Sequence, residues 1–274
     1  MPSVEVQKAG EIAYRETVPD GEPSGAPVLL IHGYPESSFM WRDLLAALAE
    51  SRRRAVAPDL PGYGNSPLQR EATWESHMEV VEDFRETLGL DRVALVVHDW
   101  GGLIGLRWAA EHPDAVAALV ISNTGFFPDG KWHGMAKILQ TEGQGEQAVD
   151  AMTREAFAEF LRSLGRGFDD AAIDEYWKAF GDERRRRGQL ELYRSGDFSK
   201  LEPYEGRLAA LDVPTLVLWG EQDQFASIAA AHRFHREIPH SELVLISDAG
   251  HFAFEDDPQR CAQAVTGFLE EAGL

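Results

Sequence analysis

Six short apolar runs punctuate the chain, at 26–32 (APVLLIH), 54–60 (RAVAPDL), 92–98 (RVALVVH), 115–122 (AVAALVIS), 214–220 (PTLVLWG) and 241–247 (SELVLIS). Their apolar positions are nearly continuous, as in strands buried on both faces of a parallel sheet. Between them, MWRDLLAALAE, WESHMEVVEDFRETLG and LIGLRWAAEH repeat apolar residues every three or four positions, which predicts helices, with Gly89 as a C-terminal cap. Strands alternating with helices predict an α/β fold, a mostly parallel central sheet flanked by helices.

That rhythm stops between about Gly125 and Pro203, where strand patterns give way to helical ones such as GEQAVDAMTREAFAEFLRSLG and DAAIDEYWKAF. The pattern predicts a helical cap, residues 125–203, inserted into an α/β core formed by 1–124 and 204–274. DERRRRG at 182–188 reads as a solvated helix face, because flanking acids partly neutralise it. The Pro/Gly loop VPDGEPSGAP at 18–27 is too short to separate two domains. MPSVEVQKAGEIAYRE, at the amino terminus, alternates polar and apolar residues and lacks the basic start and apolar stretch of a secretory leader.

Charge narrows the partners. With 26 Lys+Arg against 46 Asp+Glu, the formal net charge is -20, so nucleic acid is repelled and a small, neutral, largely apolar substrate is expected. No apolar run reaches the ~20 residues that cross a bilayer, so no membrane association and a cytoplasmic location are expected. The one cysteine, Cys261, lies at helical spacing in PQRCAQAVTGFL and reads as a packed residue. There is no Cys/His spacing for a metal, and neither metal nor cofactor is expected. Oligomeric state is left open.

The chemistry concentrates in VALVVHDWGGLIGLRWA, residues 93–109, where a strand turns sharply into a helix at Asp99. Such a turn crowds its backbone, and Gly101 and Gly102 supply the room. Asp99 is thereby lifted above the sheet at a helix N-terminus, whose N–H groups and dipole favour negative charge. A carboxylate with an ordinary pKa of ~3.9 is already ionised at neutral pH and needs no base to become nucleophilic.

Four segments, HGYPESSFMWR (32–42), DLPGYGNS (59–66), VVHDWGG (96–102) and DAGHF (248–252), together resemble the α/β-hydrolase superfamily. Asp99 at a turn where serine is commoner narrows the resemblance to the branch of epoxide hydrolases and haloalkane dehalogenases. It implies a triad of Asp99 as nucleophile, Asp223 (in LWGEQDQF) as acid and His251 as base. It also implies an oxyanion hole from the backbone N–H groups of Tyr34 and Trp100, with Tyr34-Pro35 as a candidate cis bond. One dehalogenase subgroup puts its acid after the strand ending near Ser122, but SNTGF offers only the uncharged Asn123 there. His98 reads as packing behind the nucleophile, and His77, His112, His232, His235 and His240 as surface or structural.

A carboxylate attacking an sp3 carbon leaves an alkyl ester, which water can cleave at the acyl carbon; serine would leave an inert ether. The leaving group then sets the activity. An epoxide oxygen needs a proton donor, and the resemblance implies Tyr193 (in LELYRSGDF) with His133 (in GKWHGMAKIL). A halide needs only N–H groups, and the resemblance implies Trp100 with Trp132. Helical neighbours point about 100° apart, so only one of Trp132 and His133 is expected to face Asp99. Tyr193 has family context, and Tyr34 stands where dehalogenases of the HGNP type carry a halide-binding asparagine. The sequence therefore favours an epoxide hydrolase forming vicinal diols, with a haloalkane dehalogenase as the alternative. Haloacetate dehalogenases carry HDRGG, whose arginine clamps a carboxylate; Trp100 and Leu103 offer no such clamp. A binding protein on this fold would usually have lost a triad member, and none is missing.

Overall fold

The computed structural model describes residues 5–19 and 21–274. Residues 1–4 of the amino-terminal pattern and Asp20 of the 18–27 loop lie outside that description. Eight strands form one sheet: β1 (Val6–Ala9), β2 (Ile12–Thr17), β3 (Val28–Ile31), β4 (Ala55–Pro58), β5 (Val93–His98), β6 (Val116–Ser122), β7 (Thr215–Gly220) and β8 (Glu242–Ile246). Their order is β1-β2-β4-β3-β5-β6-β7-β8. From β4 to β8 every pairing is parallel, and β1 and β2 join antiparallel. All six apolar runs became strands of the parallel part. The alternating amino terminus became the hairpin β1–β2, turning at Gly10 with φ +61°. Every residue of β3, β4, β5, β6 and β7 is buried, which is why those runs do not alternate.

The helices that follow the early strands are α1 (Arg42–Glu50), α2 (Trp74–Thr87) and α3 (Trp100–Glu111). Gly89 closes α2 at φ +63°, donating to the Glu86 carbonyl. Between β6 and β7 lie α4 (Gly134–Gln140), α5 (Gln144–Ala151), α6 (Arg154–Leu164), α7 (Asp170–Trp177) and α8 (Glu183–Ser195), with no strand among the described residues. The run at 145–165 is two helices rather than one. Thr153 leaves helical dihedrals and caps α6 by accepting the Ala156 N–H at 3.2 Å. On α8 the arginine run is paired outward: Arg184 with Glu191 at 2.5 Å, Arg187 with Asp150 at 2.7 Å. α9 (Arg207–Ala210), α10 (Ile228–Glu237), α11 (Ala253–Asp256) and α12 (Pro258–Glu271) complete the core, with Cys261 of α12 buried. Among the described residues no helix is long and apolar enough to cross a membrane.

One side of the insert is tied to the core by buried charge. Arg42 grips Glu255 through two 2.7 Å hydrogen bonds, and the Tyr176 hydroxyl of α7 donates to the same carboxylate. Glu255 is 3% exposed, so removing Arg42 would strand a buried acid, a loss of about 3–5 kcal/mol.

Candidate active site

β5 ends at His98 and α3 begins at Trp100, leaving Asp99 alone to make the turn at φ 49°, ψ -122°. A non-glycine residue held there stores about 1–3 kcal/mol of strain. Two hydrogen bonds offset it: the Tyr34 N–H donates to Asp99 Oδ1 at 2.7 Å, and Thr124 Oγ1 to the Asp99 carbonyl at 2.6 Å. The glycines act through close approach rather than unusual dihedrals. A Cβ on Gly101 would sit 2.2 Å from the Ile31 carbonyl oxygen, and one on Gly33 2.4 Å from Asp99 Oδ1. Tyr34-Pro35 is cis.

Loops from three strand ends bring the other members together. His251 Nδ1 is 2.8 Å from Asp223 Oδ2, and its Nε2 is 3.3 Å from Asp99 Oδ2. The Asp223 side chain is fully buried and receives the Phe225 and Ala226 N–H groups on Oδ1 at 2.7 and 2.9 Å. Asn123 donates to Asp223 Oδ2 at 2.8 Å through Nδ2, an orientation fixed because its Oδ1 accepts from the Gly220 N–H at 3.2 Å. The position that lacked a charge thus supplies a donor to the charge next door.

The electrostatics follow from this sandwich. Burial works against the charged form of His251, but the carboxylates of Asp223 and Asp99 outweigh it and hold the imidazole above its ordinary value, to about 10. Burial likewise opposes ionisation of Asp99, yet the hydrogen bond and charge of His251 bring it down to about 2. The resting site is an imidazolium between two carboxylates.

His98 lies behind His251, its Nε2 donating to the His251 carbonyl at 2.9 Å and its Nδ1 2.8 Å from Glu36 in a pair buried completely. Sequence reasoning missed Glu36; its only signal was a charge directly after the Tyr34-Pro35 turn. It also missed Phe225, whose ring packs on His251 at 5.2 Å and on His133 at 4.9 Å.

A cavity of about 210 Å³ opens above Asp99, lined among others by Leu103, Trp132, His133, Phe198 and Phe225. Trp132 and His133 both reach it, contrary to the expectation from helical spacing. They precede α4 in non-helical chain, with His133 as its N-cap at φ -71°, ψ 171°, so the 100° rule does not apply. His133 Nδ1 accepts the Ala136 N–H at 3.3 Å, which leaves the ring proton of the neutral imidazole on Nε2. Burial lowers the His133 pKa and favours that neutral form.

Trp100 and Tyr193 are not in the cavity wall; they close an aromatic cluster beside it. Trp100 stacks on Trp132 at 5.3 Å and meets Tyr193 edge-on at 5.3 Å, while Tyr193 meets Tyr34 at 5.1 Å. Gly196 makes this possible, since a Cβ there would lie 2.6 Å from the Trp100 ring. The buried Trp100 indole N–H has only a weak contact with the Tyr193 hydroxyl and makes no other hydrogen bond among the described residues. Burial, then the Asp99 charge, raise the Tyr193 pKa well above 10 and keep it a donor. The second expected oxyanion donor, the Trp100 backbone N–H, makes no hydrogen bond to Asp99 among the described residues.

A family model described as alpha/beta hydrolase fold matches residues 26–258. Haloalkane dehalogenase 2 of Mycobacterium tuberculosis is 32% identical over 255 residues, 89% of this chain and 88% of that one. Cis-3-alkyl-4-alkyloxetan-2-one decarboxylase of Shewanella oneidensis is 26% identical over 278 residues, 91% of this chain and 84% of the other. The crystal structure of the haloalkane dehalogenase DatA from Agrobacterium tumefaciens superposes with a TM-score of 0.82 at 26% identity, covering 95% of this chain and 93% of that one.

Proposed function

We propose, from the premise that this chain belongs to the α/β-hydrolase superfamily in its branch of haloalkane dehalogenases and epoxide hydrolases, that it hydrolyses haloalkanes through an ester on Asp99. The observation that carries the reading is the Trp100 indole N–H, buried in the aromatic cluster beside the cavity over Asp99 with no more than a weak contact to the Tyr193 hydroxyl. A buried donor without a full acceptor, set among aromatic rings, suits a halide, which asks for N–H groups and no proton. The names of the relatives weigh the same way, so the order of the two leaving groups is reversed from that favoured by the sequence.

In the first step an Asp99 oxygen forms a bond to the halogen-bearing carbon, and the carbon–halogen electron pair leaves with the halide toward Trp100. Esterification removes the Asp99 charge. His251 then faces one carboxylate rather than two, its pKa falls, and it gives up its proton to solvent. In the second step neutral His251, oriented by Asp223, takes a proton from water as the hydroxide attacks the Asp99 carbonyl carbon. The Tyr34 N–H meets the oxyanion; the alkoxide leaves with the His251 proton, and Asp99 keeps one oxygen from water. Haloalkane and water become alcohol, halide and a proton.

The second reading, epoxide opening to a diol, rests on Tyr193 and His133. Both are neutral donors near Asp99, and the opened oxygen would take a proton from one of them. A single panel separates the two: 1-bromobutane, styrene oxide and a cis-oxetan-2-one, each turned over once in heavy-oxygen water. Bromide release with the isotope entering Asp99 is the expected result. Diol without bromide selects the epoxide reading, and product labelled while Asp99 is not overturns both.

A further inference from the structure

Beside the reaction cavity lies a second, apolar cleft of about 270 Å³, walled by Phe126, Tyr204, Leu208, Phe234 and Ile238. It sits where the insert joins the core, between the outgoing segment 125–130 and the returning residues 204–209. Phe127 alone belongs to both walls, which places it between the cleft and the 210 Å³ cavity over Asp99.

Phe127 is held on one side by the buried Phe234 and on the other by a surface latch. Its ring lies against Phe234 at 4.6 Å, and the Arg233 guanidinium covers it at 4.0 Å. Arg233 is itself tethered to Asp129 at 2.5 Å and Glu237 at 2.7 Å. Asp129 is 74% exposed, and exposed pairs of this kind hold weakly. Glycines at 125 and 130 bracket the segment, and the Gly130 N–H closes a turn on the Phe127 carbonyl at 2.9 Å. The ring can therefore swing without disturbing β6.

We propose that Phe127 is a swinging partition that sets alkyl chain length, and that the cleft behind it receives the distal end of long-chain substrates attacked at Asp99. This rests on the reading of Asp99 as the attacking group. The occupant follows from the lining: aromatic and aliphatic walls suit methylenes, Arg233 and Glu237 are paired with each other, and Glu205 repels a carboxylate-ended chain. An uncharged alkyl tail fits both. The reaction cavity by itself holds the volume of about seven waters, enough for a short chain only.

The test compares kcat/KM for 1-bromodecane with that for 1-bromobutane within each variant, so losses in folded enzyme cancel. Phe127→Ala is expected to raise the decyl-to-butyl ratio about tenfold, and Ala209→Phe, which fills the cleft, to cancel that gain in the double variant. An unchanged ratio in Phe127→Ala, or a gain that survives Ala209→Phe, overturns the partition. If the wild-type protein releases no bromide from either compound, it is the haloalkane reading that fails. Binding of 1-decanol against 1-butanol, followed by tryptophan fluorescence in the same variants, then decides the partition: preference for decanol should rise about tenfold in Phe127→Ala and return with Ala209→Phe, and no change overturns it.

Discussion

At the sheet end of the site, Asp99, Asp223 and His251 are fixed by short directional bonds, from the 2.7 Å Tyr34 N–H to the 2.8 Å Asn123 amide. Across the cavity, Trp132 and Tyr193 are placed by ring contacts of 5–6 Å. Directional bonds specify where an atom sits to a few tenths of an ångström, whereas ring packing specifies a shape and tolerates sliding. On the proposed reading, the sheet end sets which bond is made to carbon, and the face turned to the insert, with Trp100 of α3, sets what leaves and what fits. Changes on the core side should abolish chemistry regardless of substrate; changes on the insert side should re-sort substrates.

The largest effect expected on the core side is that of Asp99→Asn, a loss of about 10⁴-fold or more in halide release with every substrate, measured by halide titration. His251→Gln should cut steady-state turnover about 10³-fold yet leave the first turnover, so that an Asp99 alkyl ester accumulates and is seen by intact mass. A variant that turns over without that adduct contradicts the two-step account.

On the insert-facing side, Trp100→Phe should slow the halide burst about 10²-fold, the usual cost of one lost donor at a developing charge. If the burst is unchanged, the indole N–H is not the halide seat. Smaller still is the pH effect on the first step. Asp99 is ionised above about 2 and His251 stays protonated up to about 10, so burst amplitude and rate should vary under about threefold between about pH 5 and 9. Ester hydrolysis needs neutral His251 and should instead climb with pH until the imidazole of the esterified enzyme has lost its proton; rapid-quench measurements separate the two. The smallest change is that of Tyr193→Phe, under about threefold on bromoalkanes. A loss above about 10²-fold on epoxides in that variant would move the assignment to the second reading.

The same division explains what could be read beforehand. Asp99, Asp223 and His251 were legible because each follows an apolar strand within a short local pattern, and a parallel sheet delivers the ends of β5, β7 and β8 to one edge. Glu36 was not legible, since its meaning is its burial against His98, which comes from a different loop. The misjudged pair was Trp132 and His133. Their order in the chain was plain, but helical spacing was assumed one residue before the helix began.

By itself, then, the sequence determined the alternation of strand and helix, the helical stretch between β6 and β7 and the carboxylate at the turn, because apolar periodicity and turn residues act over a few positions. Tertiary structure decided the rest: the charge that Asn123 steadies, the protonated His251 between two acids, the buried Trp100 N–H and the place of Phe127 beside two cavities. Those depend on distances between segments far apart in the chain, and such distances exist only after packing has chosen which side chains lose water and which keep a partner.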